Sequence, residues 1–124
     1  MSGNIEQHYS RSGRLTDLIA TELRAAGKDL AHLSPGDLEA VDEFHVRGRR
    51  ATLELADRMR IASGARVLDI GSGLGGPART IAEHCNCHVT GIDLTSDFCE
   101  AARQMSEWVG LSGRIAFRQG DATA

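Results

Sequence analysis

The sequence predicts an α/β protein: the first half of a doubly wound parallel sheet, strands ordered 3-2-1, preceded by an N-terminal helical segment. Three observations carry this. Val67, Leu68 and Ile70, an apolar run interrupted only by Asp69, break into a glycine-rich stretch from Gly71 to Gly76 and restart as a helix at Pro77. Two further strand-like runs come after it, Val89 to Leu94 and Arg114 to Arg118, each separated from the run before it by enough chain for one helix. Such alternation is the pattern of right-handed crossovers between parallel strands.

The elements can be justified in chain order. Residues 1–63 form the helical segment and 64–124 the sheet half. Leu15, Leu18, Ile19, Leu23 and Ala26 fall at helical spacing, and Gly27 stands where a left-handed C-terminal cap is wanted. Ser34-Pro35-Gly36-Asp37 is a helix start, with Ser34 as cap, Pro35 in the first turn, and Leu38, Val41 and Phe44 as the helix's inner face. Gly48 interrupts that helix. A further helix from about Arg49 to Arg60 presents Thr52, Leu55 and Met59 on one side, widened by Leu53 and Ala56. Val67 to Ile70 then reads as a strand buried on both faces.

After the glycines, Ala78, Ile81, Ala82 and Cys85 give the inner side of a short crossover helix into the second strand. Ser96 or Asp97 is expected to cap the next helix, with Phe98, Ala102, Met105 and Val109 as its stripe, Trp108 as a packing residue and Gly110 as its end.

The glycine stretch is a concavity rich in backbone donors. Its spacing fits two ligand classes. Gly71-x-Gly73-x-x-Gly76 satisfies a dinucleotide fingerprint, whereas Gly71-x-Gly73-x-Gly75 satisfies another. Asp69 would repel a pyrophosphate and favour a ligand with an ammonium or sulfonium. Asp93, about 20 residues further on, suits capture of ribose hydroxyls in either case. Adenosine is common to both.

The run D-I-G-S-G-L-G-G, followed by G-I-D-L and then Gly120-Asp121-Ala122, resembles the class I S-adenosylmethionine-dependent methyltransferases. It is most similar to their small-molecule branch, which includes the sarcosine and dimethylglycine, tocopherol and quinone-ring enzymes. The resemblance implies S-adenosylmethionine as cofactor on a Rossmann-like sheet. It places Asp69, Gly71, Ser72, Gly73 and Gly75 at the amino-acid moiety, Asp93 at the ribose and Leu94 against the adenine, with Asp121 and Ala122 also at the cofactor. The implied reaction is in-line displacement at the sulfonium methyl, for which the protein supplies orientation and a desolvated site. The acceptor is expected to be a small molecule, an amine, phenol or quinol ring carbon. His8, Tyr9 and His45, in strings that resemble a lid over the cofactor mouth, are the candidates to meet it, with no base assigned. A nicotinamide-dependent oxidoreductase half and a non-catalytic adenosine-binding module are the rival readings.

Composition narrows the partners. The chain has 124 residues, 41% hydrophobic and 25% charged, with net charge −3 and a pI near 5.9. That length suits one domain, yet only half of a doubly wound sheet is visible, so the chain reads as a fragment with an open strand edge that invites association. Without a Lys/Arg run, nucleic acid is not an expected partner. Neither a signal stretch nor a membrane span is visible, so a cytoplasmic protein with no membrane partner is expected. Cys85, Cys87 and Cys99 are an odd count that reads as reduced thiols. His84-Cys85-Asn86-Cys87-His88 crowds metal-binding residue types, but such close neighbours cannot close a tetrahedral shell, and no metal site is expected.

Overall fold

The computed structural model describes residues 13–39 and 48–123. Helix α1 spans Arg14–Ala25, and two 3₁₀ turns come next at Leu30–His32 and Pro35–Leu38. Helix α2 spans Gly48–Met59, strand β1 Arg66–Ile70, helix α3 Gly76–Cys85, strand β2 His88–Asp93, helix α4 Ser96–Trp108 and strand β3 Ile115–Gln119. The strands form one parallel sheet, ordered β1-β2-β3.

Several ends are set by the residues at them. Gly27, at φ 81, donates to the Arg24 carbonyl at 3.0 Å while Lys28 donates to Leu23 at 2.9 Å, the paired bonds of a Schellman cap. Gly110 and Leu111 repeat the pattern on Glu107 and Ser106 at the end of α4. Ser34 and Asp37 make a reciprocal capping box, but the turn it starts is 3₁₀. Val41 and Phe44 lie outside the described residues. The cap of α4 is Thr95, not Ser96 or Asp97; Thr95 is extended, and its amide donates to Asp93 Oδ1 at 3.0 Å.

The described helices lie over one face of the sheet. Val67, Val89, Ile115 and Phe117 point toward them and pack with Ala78, Ile81, Ala82, Cys99 and Ala102 into the main cluster. Ile19, Leu23, Leu33, Leu38, Ala101 and Met105 form a second cluster that seats α1 against the outer side of α4. Helix α2 is tied to α3 by Arg49, which donates to Thr80 Oγ1 at 3.0 Å and to Glu83 Oε1 at 3.1 Å.

Several expectations of burial are overturned, that of Leu18 in the stripe of α1 among them, at 44% exposed. Strand β1 is covered on one face only: Leu68 is 56% and Ile70 64% exposed, because the opposite face of the sheet carries no described element. On α2, Thr52 and Ala56 are buried while Leu55 and Met59 are 55% and 53% exposed, so the apolar stripe is split between core and solvent. Phe98 on α4 is likewise 39% exposed.

Candidate functional site

The loop after β1 hangs from β2. Gly71 and Ser72 both donate to the Ile92 carbonyl, at 2.7 and 3.1 Å, and Gly75 donates back to Ser72 at 2.9 Å. The Gly73 amide donates to Asp93 Oδ2 at 2.8 Å. Asp93 thus ties the glycine loop to the start of α4, one oxygen to each. A carboxylate has about four acceptor sites, so two backbone donors leave it able to take a diol as well.

Gly75 is the position where nothing but glycine fits. Its φ of 85 is left-handed, and a Cβ there would lie 2.5 Å from Phe117 Cζ and 2.9 Å from Arg79 Nη1. Phe117 also fills the space beside Gly91, where a Cβ would come within 2.7 Å of Phe117 Cδ1 and Ser72 Oγ. Phe117 is therefore the floor on which the loop rests. The sequence pattern alone gave it no role, although a glycine inside a strand run, as at Gly91, signals a close approach of this kind. Ser72 is 6% exposed, and its Oγ has no hydrogen-bond partner among the described residues.

At the carboxyl ends of the strands a cavity of about 290 Å³ is lined by Gly71, Asp93, Leu94, Asp121 and Ala122 among others. Five of the residues singled out in the sequence are thereby brought together from three separate segments. Leu94 is 69% exposed and offers an apolar edge. Asp121 Oδ1 accepts from the Thr123 amide at 2.9 Å and its hydroxyl at 2.6 Å, bonds that hold the Asp121 carboxyl below the usual carboxylate range.

Asp69 lies elsewhere. It opens into a groove of about 390 Å³ between α2 and β1, beside Leu55, Met59, Leu68 and Pro77. Burial pushes its carboxyl up from the ordinary value, and the nearby Asp93 charge adds to the rise. Ser72 and Gly75 are buried within the loop, and neither they nor Gly73 line either space. The site residues thus divide into a cavity holding Asp93 and an adjoining groove holding Asp69, with the glycine loop between.

His8, Tyr9 and His45 lie outside the described residues. In the histidine–cysteine stretch, His84 Nε2 pairs with Asp57 Oδ1 at 2.7 Å, the buried Cys87 directs its thiol to the Ile81 carbonyl, and the exposed His88 begins β2. No group of three potential metal ligands occurs among the described residues. Nor is any described helix long and apolar enough to cross a membrane.

Comparison with known proteins meets this geometry. Residues 67–124, from β1 to the last motif, match the family model described as Methyltransferase domain. The chain is 33% identical over 122 residues to methyltransferase GfsG of Streptomyces halstedii, a match that covers 97% of this chain and 44% of that protein. A sterol 24-C-methyltransferase of Gibberella zeae is 42% identical over 67 residues, 54% of this chain and 18% of the relative. Among solved structures, a SAM-dependent methyltransferase from Thiobacillus denitrificans in complex with S-adenosyl-L-homocysteine is 38% identical, with a TM-score of 0.57, over 68% of this chain and 34% of that one. Sheet, loop and matches define a class I S-adenosylmethionine-dependent methyltransferase fold. The chain spans less than half the length of the curated relatives it matches.

Proposed function

We propose that the protein of which these residues form the cofactor-binding part transfers a methyl group from S-adenosylmethionine to a small-molecule acceptor. The observation that carries the reading is the arrangement of two carboxylates on either side of one glycine loop. Asp93, at the cavity with Leu94, suits a ribose diol beside an apolar ring. Asp69, in the groove, suits a cation, because an ammonium relieves the cost of its half-buried charge. A nicotinamide dinucleotide would bring a pyrophosphate toward these charges and is disfavoured by them.

The fit rests on donor chemistry. Asp93 would accept from the ribose hydroxyls while holding Gly73 and Thr95, Leu94 would cover one side of the adenine, and Asp69 would face the amino group. When bound, S-adenosylmethionine supplies an electrophilic methyl. The loop's part is orientation, since its amides are already fixed by Ile92 and Asp93. Groove residues Leu55, Met59 and Leu68 keep the surroundings of Asp69 apolar and so strengthen its attraction for a cation. Sterol and phosphoethanolamine methyltransferases among the relatives act on small molecules by name, which supports a small-molecule acceptor.

Calorimetric titration with S-adenosylmethionine, S-adenosylhomocysteine and NAD tests the reading. The sulfur-containing ligands are expected to bind more tightly than NAD, with Asp93→Ala losing roughly tenfold or more, the size of a charged hydrogen bond. Tighter NAD binding, or full affinity in Asp93→Ala, would overturn it.

A further inference from the structure

The end of the sheet opposite the proposed cofactor cavity carries a second concavity. Its volume is about 390 Å³, and Arg66, His88, Ser112, Gly113 and Arg114 line it. Arg66 and His88 are register partners on β1 and β2, and both point to the bare face. Arg114 immediately precedes β3, and its carbonyl accepts the Val89 amide at 2.9 Å, which puts it next to His88 on the other side. Two guanidiniums therefore flank an imidazole across neighbouring strands about 4.8 Å apart.

Nothing described offsets this row. Arg66, His88 and Arg114 make no side-chain ion pair or hydrogen bond among the described residues, although the chain as a whole is acidic. The amides of Ser112 and Gly113 donate to no backbone acceptor among the described residues. The two guanidiniums stand two strand spacings apart and still repel across the imidazole, so an anion held between them would return stability. Guanidiniums, a hydroxyl and free amides are the donor set for tetrahedral oxyanions.

We propose that Arg66, His88 and Arg114, with Ser112 and the turn at Gly113, form a binding site for a phosphate-class oxyanion at the amino-terminal end of the bare sheet face. It is separate from the cavity lined by Asp93 and Asp121, which lies past the other end of the strands. A phosphorylated small molecule fits the size of the concavity better than an extended polyanion, since the basic residues are confined to one end of the face.

The test uses the 124-residue chain and inorganic phosphate. Amide chemical shifts of Ser112 and Gly113 are followed at constant ionic strength, with chloride as the balancing ion. Saturable shifts are expected, together with roughly tenfold weaker binding in Arg66→Gln/Arg114→Gln. In phosphate-free buffer that double variant should melt no lower than the wild-type chain, because repulsion has been removed. Arg66→Lys/Arg114→Lys, which keeps charge without the fork, should bind with intermediate affinity. Non-saturating shifts, or shifts that the Gln variant leaves unchanged, would overturn the site. Saturation by poly-glutamate but not by phosphate would overturn it too, in favour of a surface for an acidic protein segment.

Discussion

Asp69 carries the electrostatic cost of a half-buried carboxylate beside a second one. Its carboxyl is raised by burial and by Asp93, above an unfolded value near 3.9. The folded state therefore holds this proton more tightly than the unfolded one, and stability falls as pH rises from the unfolded value through the raised folded value. Above that interval the penalty is constant. Asp69→Asn is accordingly expected to raise the melting temperature at pH 7, with the difference shrinking below about pH 4, where Asp69 is protonated in both states. It should at the same time weaken S-adenosylmethionine binding, whose affinity in the wild-type chain should rise with pH through the folded value of Asp69. Melting curves of the two proteins across pH decide the first point; a wild-type chain more stable at neutral pH would mean that Asp69 has a partner. Gly75→Ala is the opposite case. The substituted methyl must adopt a left-handed backbone and meets Phe117 and Arg79, neither of which is at a free surface, so a loss of about 2–4 kcal/mol is expected. A denaturant midpoint unchanged by Gly75→Ala would contradict the packing of Phe117 beneath the loop.

At the scale of elements, the sheet half was legible and the helical segment only in part. Val67 to Ile70, Val89 to Leu94 and Arg114 to Arg118 each fall within about a residue of their strands, because short apolar runs bounded by turn and cap residues leave few alternatives. Gly27 and Gly110 close their helices as expected. What the chain could not reveal was which apolar residues meet a partner. The periodicity of Leu55 and Met59 is that of a buried face, but burial depends on what lies across from them, and there α2 looks onto the free side of β1. Among the candidate site residues, Asp93 stood out in the sequence by its position at a strand end and Asp121 through the motif resemblance, whereas Phe117 did not, since its packing exists only where β3 passes under the loop of β1. The docking of α2 rests on Arg49, and this gives a prediction. Arg49→Met removes both bonds to α3 while keeping much of the side chain's bulk, and about 1–3 kcal/mol of local stability should be lost from α2. Hydrogen exchange should show faster amides in α2 and little change in α4. Because α2 is one wall of the Asp69 groove, cofactor affinity should fall with it. Unchanged protection in α2 would show that Thr52 and Ala56 hold the helix without Arg49.

For the whole molecule the decisive quantity is the apolar surface around β1. Leu68 and Ile70 on the bare face, with Leu55 and Met59 across the groove, are each more than half exposed. β1 pairs only with β2 among the described strands, so its other edge presents unpaired backbone groups. A large side chain left in water forfeits about 1.5–3 kcal/mol of burial, against a net domain stability of about 5–15 kcal/mol. Four residues each little more than half exposed forgo roughly half of that apiece, a sizeable share of such a margin, and a parallel sheet is ordinarily covered on both faces. The 124-residue chain on its own is therefore expected to associate through β1 with rising concentration, which sedimentation velocity would show. Leu68→Lys/Ile70→Thr places a charge beside the edge and shortens the apolar face, so this variant should sediment closer to a monomer at the same concentration. Its melting temperature should not fall, because neither side chain packs in the core. Methyl transfer by these residues alone should be undetectable against amines, phenols and quinols, since the groove at Asp69 is open along the same edge and cannot hold an acceptor in line. A chain that stays monomeric at high concentration, melts cooperatively and methylates any such acceptor would refute the argument at each step.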